Sequence, residues 1–219
     1  MRQQHTLRRF VRSGSAFFAA LVGVVLLFSA TVKASSDRPR AGQGILLLRP
    51  AFAEQADSLK TLVLYETPGI RRVAMINAAR LPSLSLVLPV PTGVYAVAVM
   101  GKRGNWFRLA YDESGREGWI KGRQYWNYYR WTDFLPGCFV RFLPELRASL
   151  TEFHQEPYDR SPSLGTIAPG QRMYVMEISN RWAKIRSDND KHGWIRWCDG
   201  NGKLLIALEK FKVQPYQIP

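Results

Sequence analysis

The sequence predicts an all-β protein built from two small antiparallel barrels in tandem, preceded by an N-terminal signal or anchor helix. Three observations carry that expectation. The triplet Gly-Trp-Ile occurs twice, at Gly118-Trp119-Ile120 and Gly193-Trp194-Ile195. Ahead of each lies a tryptophan (Trp106, Trp182), and ahead of that an alternating apolar run (Val94 to Val99; Met173 to Ile178) opened by a proline–glycine turn (Pro91 to Gly93; Pro169-Gly170). The spacings agree within one residue: turn glycine to tryptophan is 13 against 12, and tryptophan to tryptophan is again 13 against 12.

Residues 1–34 read as a secretory signal, with a basic start (Arg2, Arg8, Arg9, Arg12), an apolar run from Ala16 to Ala30 and a small-residue cleavage site at Val32-Lys33-Ala34. The alternative is an uncleaved inner-membrane anchor; either places the remainder outside the cytoplasm, in the periplasm or beyond. Residues 35–58 hold Pro39, Gly42, Gly44 and Pro50 without a sustained period and read as a linker. The first domain is expected over 59–124, with strands Leu62 to Tyr65, Val94 to Met100, Asn105 to Tyr111 and Glu117 to Lys121. The alternation in the second of these suggests a strand buried on both sides. Gly101, Gly104 and Gly115 are expected to supply positive-φ turn positions.

Pro68 lies 25 residues before Gly93 while Pro157 lies 13 before Gly170, so the first copy carries an insertion of about 12 residues, long enough for a short helix around Ala74 to Arg80. Residues 125–149 form an aromatic-rich linker, 150–208 the second domain, and 209–219 a tail. The second domain is expected to hold strands Arg172 to Ser179, Arg181 to Ser187, His192 to Trp197 and a last one in Leu204 to Leu208.

Net charge is +14, and removal of the segment through Ala34 takes away Arg2, Arg8, Arg9, Arg12 and Lys33 and leaves +9. Such a surface attracts anionic polymers; nucleic acid fits the charge, but the export signal argues against it. Export also bears on Cys138 and Cys198, which either pair to staple the second domain's start to its end or stay as two buried thiols. Catalysis needs titratable groups held together, and His154, His192 and two cysteines are a thin inventory without Cys-x-x-Cys or His-x-x-x-His spacing. A non-catalytic protein without metal or cofactor is expected.

The ordered set Leu64-Tyr65, Pro91-Thr92-Gly93, Trp106-Phe107-Arg108-Leu109 and Gly118-Trp119-Ile120 resembles the bacterial SH3 (SH3b) family, as does Pro169-Gly170, Trp182-Ala183-Lys184-Ile185 and Gly193-Trp194-Ile195 in the second copy. The resemblance covers about 130 of the 219 residues. It implies two small, partly open SH3-like barrels of five or six antiparallel strands each, which bind peptidoglycan or an envelope protein without catalysis, or, with an uncleaved helix, an adaptor or assembly subunit at the inner membrane. Two departures concern the ligand groove: the insertion in the first copy, and Phe153-His154 where Leu-Tyr is expected in the second.

Tyr65 is the groove residue that the resemblance implies; Trp119 and Trp194 either stack on a ligand or fill the cores. The dense run Tyr125 to Trp131, with Trp126, Tyr129 and Trp131 as candidate ligand residues, is either a seam between the domains or a binding platform.

Overall fold

The computed structural model describes residues 38–50 and 59–210, which fall in one compact unit. The predicted signal or anchor helix lies outside the described residues. The described residues are all-β, with two antiparallel sheets of seven strands each and one short helix.

In chain order the first sheet holds β1 (Gly44–Leu48), β2 (Leu62–Tyr65), β3 (Arg72–Ile76), β4 (Tyr95–Arg103), β5 (Trp106–Ala110), β6 (Glu117–Lys121) and β7 (Asn127–Arg130). A short helix, α1 (Trp131–Phe134), leads to the second sheet. That sheet holds β8 (Phe139–Phe142), β9 (Glu152–His154), β10 (Ser163–Thr166), β11 (Met173–Ser179), β12 (Trp182–Ser187), β13 (His192–Arg196) and β14 (Ile206–Leu208). The spatial orders are β3-β2-β6-β5-β4-β1-β7 and β10-β9-β13-β12-β11-β8-β14. Adding seven to each first-sheet label reproduces the second sheet, so the duplication spans all fourteen strands.

The likeness extends to irregularities. β4 carries a bulge at Met100 between the pairs Val99↔Leu109 and Gly101↔Arg108, and β11 carries one at Met176 between Val175↔Ile185 and Glu177↔Lys184. The β4–β5 and β5–β6 turns need positive φ at Gly104 (52°) and Gly115 (77°), and the second copy meets the same need with Asn180 (51°) and Asp190 (57°). Asn and Asp are the non-glycine residues that best tolerate this region. Gly101 is not among the positive-φ glycines; it follows the Met100 bulge inside β4.

Three expectations are corrected. Each repeat is a sheet of seven strands that does not close, where the resemblance implies a partly open barrel of five or six: β2 and β6 meet through one residue pair, Tyr65↔Trp119, as β9 and β13 do through His154↔Trp194, and the outer edges stay unjoined. Second, segments read as linkers supply strands. β1, from the 35–58 segment, pairs with both β4 and β7, while β7 and β8 come from 125–149. Proline and glycine obscured the run Gly44–Leu48, which is buried at every residue. Third, the insertion holds edge strand β3 and a 3-10 turn at Ala78–Arg80 in place of a helix over 74–80. Its extended chain pairs with β2 through Leu62↔Ile76 to Leu64↔Ala74.

Two apolar cores explain why β1 and β4 are buried on both faces. Leu46, Leu48, Val97 and Val99 point into the first repeat's own core with Leu62, Leu109 and Ile120. Ile45, Leu47, Ala96 and Ala98 point the other way, into a larger core holding the second repeat's Val140, Phe153, Met173, Val175, Ile185 and Ile195. Alternation along a strand puts neighbours on opposite faces, so these two strands separate the cores. The insertion also feeds the shared core: Leu84, Val87 and Leu88 are buried there, and Val87 O accepts from Leu208 N of β14 at 2.8 Å.

Candidate functional site

With only the Tyr65↔Trp119 pair joining β2 to β6, a cleft of about 230 Å³ opens between the strands. Leu62, Tyr65, Ile120 and Trp126 supply its apolar walls, and Lys121 and Arg123 bring two cations. Each wall has a structural cause. Tyr65 ends β2 and is braced edge-on by Trp106, with ring centroids 5.4 Å apart and planes at 88°. Trp126 donates from Nε1 to Arg49 O at 3.2 Å, which fixes a ring that is only 7% exposed. The Arg123 guanidinium lies 5.2 Å from the centre of the Trp126 ring and donates to Tyr125 Oη at 3.0 Å.

Gly118 shows how closely the strands approach beside the cleft. A Cβ there would stand 3.0 Å from Leu64 Cβ, and one at its counterpart Gly193 would stand 2.6 Å from His154 O. The glycine of the second triplet is therefore required by strand contact, and at the first a side chain would press on Leu64.

Of the sequence-predicted ligand residues, Tyr65 and Trp126 come together in this cleft. Trp119 is paired to Tyr65 but buried, with Arg103 at 5.2 Å and Arg108 at 5.8 Å over its ring. Tyr129 packs on Phe134 at 5.6 Å. Trp131, 3% exposed, lies in the shared core; it donates from Nε1 to Ala41 O at 2.7 Å and packs at a 43° tilt on Trp197, with ring centroids 5.5 Å apart. It belongs to the seam between the repeats. Trp194 is half-buried in the second repeat beneath Lys184, 6.0 Å from its ring centre. Cys138 and Cys198 are two buried thiols, the second of the alternatives the sequence left open.

The register also identifies the second copy's counterpart of Tyr65, which is His154. The His154 ring meets Trp182 edge-on at 5.1 Å and 82°, as Tyr65 meets Trp106. The signal was available in the sequence, since Pro68 and Pro157 each follow their aromatic by three residues. The chemistry differs, however. His154 is 2% exposed, its Nδ1 lies 3.2 Å from Ser161 O and its Nε2 faces Glu152 Oε2 at 3.3 Å. Beside it Arg196 covers Trp182 at 5.0 Å and pairs with Asp159 at 2.7 Å, an interaction that holds the Asp159 carboxyl below its ordinary range.

Among the described residues no group of His, Cys, Asp and Glu is placed to hold a metal ion. Neither a protein-family model nor a curated protein matches this sequence.

Proposed function

We propose that the protein is an exported, non-catalytic binding module of two repeats similar to bacterial SH3 domains, whose ligand is peptidoglycan. The observation that carries this reading is the meeting of Tyr65 and Trp126 with Lys121 and Arg123 in one cleft. Aromatic walls offer contact area at low entropic cost, and the cations suit a carboxylate. Peptidoglycan stem peptides combine small apolar side chains with carboxylates, and so match both features. Export, read from residues 1–34, would put the cleft in the compartment where that polymer lies.

The test is retention of the secreted chain on purified sacculi at about 0.15 M salt, where the Debye length is roughly 8 Å and loose charge attraction is screened. Retention is expected for the natural chain and is lost in the double variant Tyr65→Ala, Arg123→Ala, with its circular dichroism unchanged. No retention of the natural chain, or equal retention of the variant, overturns the reading.

A protein ligand is the second reading, favoured by β3, a sheet-edge strand beside which Ile70 is 80% exposed and within which Met75 is 64% exposed. An exposed apolar edge is a template for another strand. Intact Met1 on N-terminal sequencing of the exported protein would favour this reading in its membrane-anchored form.

A further inference from the structure

A second concavity, of about 870 Å³, lies away from the Tyr65 cleft and is lined by Gln43, Lys102, Gly104, Tyr128, Arg130 and Asp133. These residues come from the chain just before β1, the end of β4 and its turn, β7, and α1. We propose that this concavity binds an anionic sugar, a pyranose carrying a carboxylate or a phosphate, with the Tyr128 ring as its floor and Lys102 and Arg130 holding the charge.

The floor is built, not incidental. Tyr128 pairs with Leu46 of β1, and its ring meets Phe107 at 5.5 Å. β7 lies this close to β1 because residue 44 is glycine: a Cβ there would collide with Tyr129 O and stand 2.9 Å from Tyr128 Cε2. Burial pushes the Tyr128 hydroxyl above its ordinary value. Lys102 Nζ is held 6.0 Å from the centre of the Tyr128 ring and donates to Gly104 O at 2.8 Å, an arrangement that leaves two of its three donors for a ligand.

Among the described residues no carboxylate lies within ion-pair distance of Lys102 or Arg130, although Asp133 shares the concavity. A bare anion site has no use for Asp133. A sugar does, because carboxylates and amides such as Asp133 and Gln43 accept from and donate to ring hydroxyls. An aromatic floor, cations on one side and hydroxyl partners on another together describe a charged pyranose.

The second repeat lacks all of this. Aligning the Met100 and Met176 bulges places Ile178 at the position of Lys102, and the pairing of β14 with β8 places the buried Leu208 at that of Tyr128. The Lys102 and Tyr128 side chains of the concavity are therefore particular to the first copy, although the ladder beneath them is shared.

The test is titration calorimetry of the secreted chain with trigalacturonate, glucose 6-phosphate, neutral maltotriose and inorganic phosphate. Binding of at least one charged sugar is expected, with inorganic phosphate and maltotriose each at least about tenfold weaker; which charged sugar binds identifies carboxylate or phosphate as the group recognised. Lys102→Ala and Arg130→Ala are each expected to weaken that binding by about tenfold to a hundredfold, the loss of one charge-assisted hydrogen bond. Asp133→Asn is expected to weaken the sugar while strengthening inorganic phosphate. Both cations are exposed, so these variants keep the fold. Equal binding of maltotriose, equal binding of inorganic phosphate, or no binding of either charged sugar overturns the proposal. Tyr65→Ala leaves this titration unchanged, so its outcome is separate from that of the sacculus experiment.

Discussion

Trp131→Ala is the sharpest test of whether the aromatic bridge is a seam. The ring is 3% exposed, and its removal deletes the contacts with Trp197 at 5.5 Å and Phe134 at 6.4 Å together with the Nε1 bond to Ala41 O at 2.7 Å. A buried Trp→Ala substitution costs about 3–5 kcal/mol. Within that, each aromatic pair contributes about 0.5–1.5 kcal/mol beyond area, and the hydrogen bond about 1 kcal/mol. Trp131→Phe keeps most of the apolar area but leaves Ala41 O without its donor, so its cost is about 1–2 kcal/mol. Urea unfolding followed by far-ultraviolet circular dichroism measures both, and the natural chain is expected to unfold in one transition because Ile45, Leu47, Leu84 and Val87 complete the second repeat's core. Two well-separated transitions in the natural chain, or a Trp131→Ala cost below about 1 kcal/mol, refute the seam. So does loss of sacculus retention by Trp131→Ala at unchanged stability, which is the signature of a platform.

Two further predictions concern groups at the same junction. Burial acts to raise the Asp199 carboxyl, but the N–H groups of Lys203 and Asn201 and the Arg38 guanidinium at 2.6 Å outweigh it and hold the group below its ordinary range. A depressed carboxyl stabilises the fold above the unfolded value near pH 4 and loses that contribution as pH falls through the folded value; Asp199→Ala is therefore expected to cost about 2 kcal/mol at pH 7, with the gap to the natural chain starting to narrow in acid melts below roughly pH 4 and closing below the folded value. A gap that persists in acid would assign the cost to something other than the carboxylate. Cys198 is 4% exposed and burial pushes its thiol up to about 11, so at pH 8 about one part in a thousand is thiolate. It is expected to resist iodoacetamide until urea unfolds the chain; labelling of the native protein within minutes, or an intact mass showing a Cys138–Cys198 bridge, counts against this.

What the sequence revealed of the fold depended on side-chain periodicity. β5, β6, β12 and β13 were readable because each carries a tryptophan in a short apolar run, β2 because Leu62 to Tyr65 is apolar throughout, and β6 falls on its expected span of Glu117–Lys121. β1 was hidden by the opposite pattern. A strand facing two cores is apolar at every position, as Ile45 to Leu48 is, and shows no alternation to read. Ala74 to Arg80 has the composition of a helix, but pairing with β2 decides in favour of an extended chain through Ile76. At the candidate cleft, Tyr65 and Trp126 were readable as aromatics. Their meeting was not, since Trp126 reaches the cleft only because its segment continues into β7 and anchors on Arg49.

The two copies share a ladder but not a dependence. The first repeat has its own core, closed by Leu46, Leu62, Val99, Leu109 and Ile120, so its outward surfaces are released from packing duty. The second repeat's interior opens onto the seam and is completed by side chains from β1, β4 and the insertion of the first. A copy that must finish its core against a neighbour has apolar residues where the other has polar ones: Ile178 for Lys102 and Leu208 for Tyr128. The same division separates Tyr65, half-exposed beside an open cleft, from His154, 2% exposed under Arg196 and Asp159. Both ligand proposals accordingly fall on the first repeat, where Tyr65 and Tyr128 stand partly exposed beside the basic side chains of Arg123, Lys102 and Arg130.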